Sequence, residues 1–334
     1  MPSLDLTKLN TSYVVNAIRE RASENFRNNV PVMENGNGIA MAGAILNSPD
    51  ESIPNEFIKG LIAFYVNPIV TGMYYNNHLK EFKMPLQRIG AGFVEYYVPP
   101  TEGTEYDASG ANAFKPKVKN FKNKIYKVGS RREFKESIYY RDLYACFANE
   151  SGAYELIDKI AQGMISGIDS EEYIKSKEIF TKFNTATAFP VFTAADDKAS
   201  GLMKKVREVG LSMQFPSTAY NAAGYKQTTP ADRLVVFTTP QFISEVDVDL
   251  LATAFNMDRT DWVSKVVVLD ELPQIATHKV KCLIGDKRFL KIRDLKYKWS
   301  SAYNAQGDFT NIFCLKDTIY EASPFVNMCA IVAP

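Results

Sequence analysis

Histidine is nearly missing from this chain: His78 and His278 are the two in 334 residues. Neither has cysteine or carboxylate neighbours at ligand spacing, so no zinc site is expected. The four cysteines, Cys146, Cys282, Cys314 and Cys329, are scattered without a CxxC pair. They read as buried free thiols in a reducing compartment, not as a disulfide framework. Cys282 or Cys314 beside His278 is a conceivable nucleophile, but a lone cysteine in a strand is usually core. A GxSxG elbow is absent. Gly36, Gly38 and Gly43 do not fit GxGxxG, and no GK[ST] follows them. No run of about 18 apolar residues exists to span a membrane. The first residues, MPSLDLTKLN, are polar and do not read as a signal peptide. Charge of one sign is lacking too: 39 basic against 38 acidic residues give +1, which suits no polyanion binder. No catalytic, cofactor or metal site is therefore expected. Asp247 and Asp249 diverge on a helix and read as a solvated face. Asp196 and Asp197 read as charges at a helix start.

What is present begins with a long helix over 149–183. Leu156, Ile160, Met164 and Ile168 recur every four residues, with Ile157, Ala161 and Ile165 beside them. Asn149 or Ser151 can cap its start. Gly163 and Gly167 cost propensity there, which suits a close crossing or a bend.

Ahead of this helix the sequence reads as arms and a hairpin. TSYVVNAIRERASENF, residues 11–26, predicts one helix. Residues 30–55 are rich in Gly, Asn and Pro and predict a long connection without a core of its own. Residues 56–68 form a short apolar element. Residues 86–98, LQRIGAGFVEYYV, read as a strand with a bulge or bend at Gly90 and Gly92. A polar tip, PPTEGTEYDASGANA, leads to a second strand, FKPKVKNFKNKIYKV. Such a hairpin is marginal alone and needs another surface to lie on.

That second strand opens a run of nine cations between Lys115 and Arg132 and Lys135, against one acid, Glu133. Phosphate contact is one reading. Protection of an edge strand by lysine is another. Pairing with an acidic face of a neighbouring copy is a third, for which Glu102, Glu105 and Asp107 at the tip are suited. The near-zero net charge favours the last two.

After the long helix, residues 198–210 predict a helix closed by Gly210. LVVFTT is a buried strand, Thr239 and Pro240 start a helix, and KVVVLDEL is a second buried strand. Strand, helix, strand at this spacing predicts a βαβ unit with a locally parallel sheet. A strand pair around Gly285 and Asp286 and two more strands complete the chain. The fold class is α+β (mixed α/β).

Residues 232–272, with "TP" after a strand and LLATAFN ending the helix, resemble the matching segment of tailed-phage major capsid proteins, especially those of small podoviruses of Gram-positive hosts. The end, IGDKRFLKIRDLKYKWSSAYNAQGDFTNIF followed by SPFVNMCAIVAP, is similar to theirs as well. The order of parts resembles the Hong Kong 97 (HK-97-like) phage capsid fold. The resemblance implies an N-terminal arm at 1–55 and an extended loop at 84–130 lying over a neighbouring subunit. It implies a peripheral domain at 56–83, 131–190 and 291–334 around the spine helix 149–183, and an axial domain at 191–290. Intersubunit contacts are then expected at Phe93, Tyr96, Tyr97, Tyr106, Lys117, Lys119, Phe121, Lys122, Lys124 and Tyr126. Expected partners are further copies of the chain as pentamers and hexamers, portal and scaffolding proteins, and double-stranded DNA packaged without sequence-specific contacts. No membrane partner or cofactor is implied. The expected location is the virion capsid, after synthesis in the host cytoplasm. Lys–Asn cross-links, which one such capsid forms, have no residue motif here.

Encapsulin shells share this fold and are the near alternative. An enzyme on a βαβ core predicts a glycine-rich loop after LVVFTT, where TPQF stands. A nucleic-acid-binding module centred on the lysine-rich hairpin is the remaining reading.

Overall fold

The computed structural model describes residues 11–34, 36–66, 75, 77–86, 92–106, 108–110, 115–116, 121–147, 152–181, 189–196, 198–245, 266–275 and 278–334. The chain divides into two compact units. The first comprises Met1–Asn76, Arg132–Glu171 and Tyr297–Lys316. The second comprises Asn77–Arg131, Glu172–Lys296 and Asp317–Pro334.

The first unit opens with four helices: α1 (Thr11–Arg21), α2 (Glu24–Asn29), α3 (Gly38–Leu46) and α4 (Ser52–Val66). The single helix expected over 11–26 is broken. The Ser23 hydroxyl accepts from the Phe26 amide at 3.2 Å and so caps a new helix. Ser23 also donates twice to the Glu56 carboxylate. The coreless connection expected at 30–55 is corrected as well, because α3 lies inside it and buries Met41, Ala42 and Ile45. Within 11–55 the described residues thus include α1, α2, α3 and the start of α4; residues 1–10 lie outside the described residues. The Gly, Asn and Pro content of 30–55 reads as a connection, but the four-residue spacing of Met41 and Ile45 carries a helix once Phe57 and Phe147 supply a surface.

Phe57 comes from α4 and Phe147 from the end of α5 (Tyr140–Cys146), and the same core is completed by β4 (Ser130–Tyr139) and the long helix α6 (Gly152–Thr181). Val15, Phe26, Phe57, Leu143, Met164 and Ile168 share one core with Ile312 and Cys314. Each such side chain contributes about 1.5–3 kcal/mol on burial. Helix α6 fulfils the expected spine over its described span; its two capping candidates, Asn149 and Ser151, lie outside the described residues. Among the described residues Gly163 and Gly167 mark no close crossing, since a Cβ added at either meets none of their atoms.

The second unit holds a mixed sheet in the order β5 (Val191–Thr193), β12 (Met328–Val332), β9 (His278–Asp286), β6 (Leu234–Thr238), β7 (Val266–Val268), with β8 (Gln274–Ile275) beside β9. β6 and β7 run parallel, as the βαβ pattern predicts. Helix α8 (Pro240–Glu245) starts where expected, with the Thr239 hydroxyl facing the Phe242 amide at 3.5 Å. The carboxylates Asp247 and Asp249 lie outside the described residues. Helix α7 (Ala199–Ser212) covers one sheet face through Leu202, Met203, Val206 and Val209. It runs past Gly210, so that glycine is interior and not the expected cap.

The strand pair expected around Gly285 and Asp286 is corrected. β9 stays in this sheet, and β10 (Leu290–Asn304) leaves through a 3-10 turn for another, ordered β1 (Lys83–Met84), β10, β11 (Phe309–Ala322), β4. Asp286 drives the turn by accepting from the Arg288 amide at 2.9 Å and holding the Arg288 guanidinium at 2.9 Å. Cys282 and Cys329 are buried in adjacent strands, and burial pushes the Cys282 thiol up to about 12. No helix among the described residues is long and apolar enough to cross a membrane.

Candidate assembly hairpin

β2 (Gly92–Tyr97) and β3 (Lys122–Lys127) pair antiparallel in continuous register, from Gly92 opposite Lys127 to Tyr97 opposite Lys122. The bulge expected at Gly92 does not form. Gly92 is required for another reason: a Cβ there would lie 2.0 Å from the Tyr126 carbonyl oxygen. Gly90 lies outside the described residues.

Period-two alternation splits the ribbon into two faces. The inner face carries Phe93, Glu95 and Tyr97 opposite Tyr126, Lys124 and Lys122. The outer face carries Val94 and Tyr96 opposite Ile125 and Asn123.

The inner face is occupied by the chain's own second unit. Glu95 is the centre of it. Its carboxylate accepts from the Tyr126 hydroxyl at 2.5 Å and the Ser323 hydroxyl at 2.7 Å, and lies 2.8 Å from the Lys291 ammonium. Burial pushes the Glu95 carboxyl up, but these hydrogen bonds and the Lys291 charge outweigh it and hold it below its ordinary value. Burial and the Glu95 contact push the Tyr126 phenol far up, so it remains a donor. Phe93 stacks on Tyr126 at 4.7 Å and the Arg293 guanidinium lies 4.8 Å over the Phe93 ring. Tyr97 stacks on Tyr225 at 4.4 Å and faces Phe325 at 6.0 Å, while its hydroxyl donates to the Lys226 carbonyl at 3.1 Å. The Lys124 ammonium donates to the Ala322 carbonyl at 2.7 Å.

These contacts engage part of the expected intersubunit set within the chain. Tyr126 is fully buried, and Tyr97 is 6% exposed, within the chain itself. Neither has much surface left to bury on a neighbour; Lys124 is partly buried, with its ammonium on the Ala322 carbonyl. Phe93 is half-buried. The reason is that GFVEYYV is apolar on both faces, so a surface was needed for each, and one of them is intramolecular. The outer face and the tip remain open: Tyr96 is 67%, Phe121 62% and Tyr106 92% exposed. Lys122 has inner-face parity but is exposed as well. Lys117 and Lys119 lie outside the described residues. Residue-by-residue reading missed Glu95, Lys291, Ser323, Tyr225 and Phe325 on the inner side and Val94, Val98 and Ile125 on the outer. The one available signal was the lone carboxylate inside an otherwise apolar strand.

Other cations of the basic run are engaged locally. Arg132 pairs with Glu171, and the Lys135 ammonium lies 5.8 Å over the Phe313 ring.

The HK-97-like fold is the class to which the spine helix, the ribbon and the mixed sheet point. A capsid chain of Staphylococcus phage Andhra superposes with a TM-score of 0.64 at 17% identity, covering 80% of this chain and 86% of that one. The sequence itself goes further, for it matches the model described as Phi29-like phage major capsid protein over residues 15–332, and the chain belongs to that family. The major capsid protein of Bacillus phage B103 is 26% identical over 328 residues, covering 96% of this chain and 72% of that protein. That of Streptococcus phage Cp-1 is 24% identical over 277 residues, covering 77% and 75%. The chain is thus a structural protein of the virion capsid of a tailed phage, and a phage capsid replaces the encapsulin alternative.

Proposed function

We propose that the hairpin is the arm through which one subunit grips the next in the shell, with its outer face as the gripping surface. The observation that carries this reading is the apolar outer face, Val94, Tyr96, Val98, Phe121 and Ile125, left exposed on a ribbon whose inner face is already covered. At about 25 cal/mol per Å² of apolar area, covering it contributes several kcal/mol per subunit, offset in part by the cost of association. Tyr106 at the tip belongs with this surface, and Lys122, exposed although its parity puts it on the inner face, is a further candidate with Lys117 and Lys119. The remaining expectations join this proposal: pentamers and hexamers as the assembling rings, portal and scaffolding proteins as partners, and double-stranded DNA inside without sequence-specific contacts. So does the division into a peripheral part around α6 and an axial part at 191–290. The role is structural and not catalytic.

Assembly of a Tyr96→Ser, Phe121→Ser variant, followed by light scattering and electron microscopy, tests the arm. Loss of shells with a folded subunit is expected. Shells formed at the unaltered rate would overturn it.

A further inference from the structure

The inner face of the hairpin does more than fill space. Two independent sets of contacts meet on one short stretch, Glu321 to Phe325, at the end of β11. One is polar: Glu95 with Tyr126, Ser323 and Lys291, and Lys124 with the Ala322 carbonyl. The other is aromatic: Tyr97 with Tyr225 and Phe325, closed by its hydroxyl on the Lys226 carbonyl.

The stretch they grip is itself fixed. The Ser323 amide donates to the Phe289 carbonyl at 2.9 Å, and the Ala223 amide to the Pro324 carbonyl at 3.3 Å. Asn327 is buried; its side-chain amide donates to the Thr229 hydroxyl at 3.2 Å and its backbone carbonyl accepts from the Asp286 amide at 2.9 Å. Asn221 is also buried. Its side chain donates to the Asn327 side-chain oxygen and accepts from the Tyr225 amide. The loop that follows α7 is therefore bolted to the same anchor as the hairpin.

A two-stranded ribbon without such contacts is marginal in water and swings freely about its base. We propose that Glu95 and Tyr97 form a latch that sets the hairpin's direction in the unassembled subunit and couples it to the loop at 213–230. The arm is then pre-oriented, and the ordering cost that a free ribbon meets on docking is already met at folding. The word "arm" rests on the reading proposed above; the latch itself does not.

The groups that touch the Glu95 carboxylate are Lys291 from β10, Tyr126 from β3 and Ser323 just past β11, with Lys124 opposite it in the ladder; Arg293 lies over the neighbouring Phe93 ring, and Glu321 pairs with Lys124. Cations outnumber the one further carboxylate, which suits an ionised Glu95 as the holding partner.

Hydrogen exchange read by mass spectrometry on the full-length unassembled subunit tests the latch. Amides of 92–97 and 122–127 are expected to exchange slowly in the unaltered chain. In Glu95→Gln and in Tyr97→Ala they are expected to exchange on the order of a hundredfold faster, with amides of β9 and β12 unchanged as the folding control. The double variant Glu95→Lys, Lys291→Glu is expected to recover part of the protection. Unprotected hairpin amides in the unaltered subunit overturn the proposal, as does unchanged protection in both single variants. Assembly then separates the two readings. Latch variants are expected to form shells more slowly. Assembly of latch variants at the unaltered rate overturns pre-orientation. Normal assembly of Tyr96→Ser, Phe121→Ser with protected hairpin amides instead sinks the arm and leaves the latch standing.

Discussion

The Lys83 ammonium lies 2.7 Å from an Asp294 carboxylate oxygen and 2.9 Å from one of Glu172. Both acids are buried, and the Thr318 hydroxyl donates to the second Asp294 oxygen at 2.7 Å. Lys83 precedes the hairpin in sequence and β1 pairs with β10 at this point, so the triad fastens the chain where the ribbon departs.

Removing the cation would leave two buried carboxylates without their common partner. Lys83→Met is expected to destabilise the subunit by about 3 kcal/mol, the low end for a broken buried pair, because the lysine side chain keeps 22% of its exposure. Urea unfolding measures this, and a midpoint unmoved within error would show that the acids find other partners. Burial pushes the Lys83 pKa down, but the two carboxylates outweigh it and raise it above 10.5. A raised folded value means that this stabilisation is complete below pH 10.5 and is lost as pH rises through the folded value.

Glu95 has the opposite sign. Its folded pKa is depressed below 4.5, so its contribution is present above pH 4.5 and is lost as pH falls through the folded value. Cleavage of the hairpin by an acid-active protease is expected to rise steeply below that pH in the unaltered subunit. In Glu95→Gln the step at this pH should be missing; an identical step in both proteins would assign it to another group.

The outer face makes a prediction about stability as well as assembly. Tyr96→Ser and Phe121→Ser remove exposed rings, so each is expected to change subunit unfolding by no more than about 0.5 kcal/mol. A loss of several kcal/mol would mean that the rings already pack within the chain.

Proteases should also find the tip. Residues 101–106 and 108–110 are exposed and, apart from Tyr106 and the small Ala108, carry no apolar side chain, and such tips are usual nicking sites. Limited proteolysis of free subunits is expected to cut first between Pro99 and Gly110, leaving β2 and β3 intact at neutral pH, and to spare the same bonds in shells. Equal cutting in both states argues that the tip touches no neighbour.

Gly163 and Gly167 sit exposed in α6 with open space where a Cβ would go. Gly163→Ala and Gly167→Ala are each expected to stabilise the subunit by about 0.5–1 kcal/mol by thermal or urea unfolding. Destabilisation would show that the helix needs to bend there.

Elements set by local chemistry were legible in the residues alone. The four-residue apolar spacing in α6 identifies a helix, because that period and the helical turn coincide over many residues. LVVFTT before Thr239 and Pro240 declares a buried strand, a cap and a parallel partner within one stretch. The lysine-rich hairpin is legible as two strands around a polar tip. What tertiary structure alone decided was who covers what. Helix α3 reads as a glycine-rich connection until Phe57 and Phe147 supply the surface that offsets its poor propensity. β9 and β10 are adjacent in sequence yet part into different sheets, because Asp286 turns the chain between them. Glu95 meets Ser323 across 228 positions, and no local pattern announces so distant a partner. Tyr96 and Tyr97 are neighbours of the same residue type, and the sequence distinguishes them only by parity. Which parity faces the molecule's own body was fixed by where Tyr225 and Phe325 lie, and only the folded chain brings those rings there.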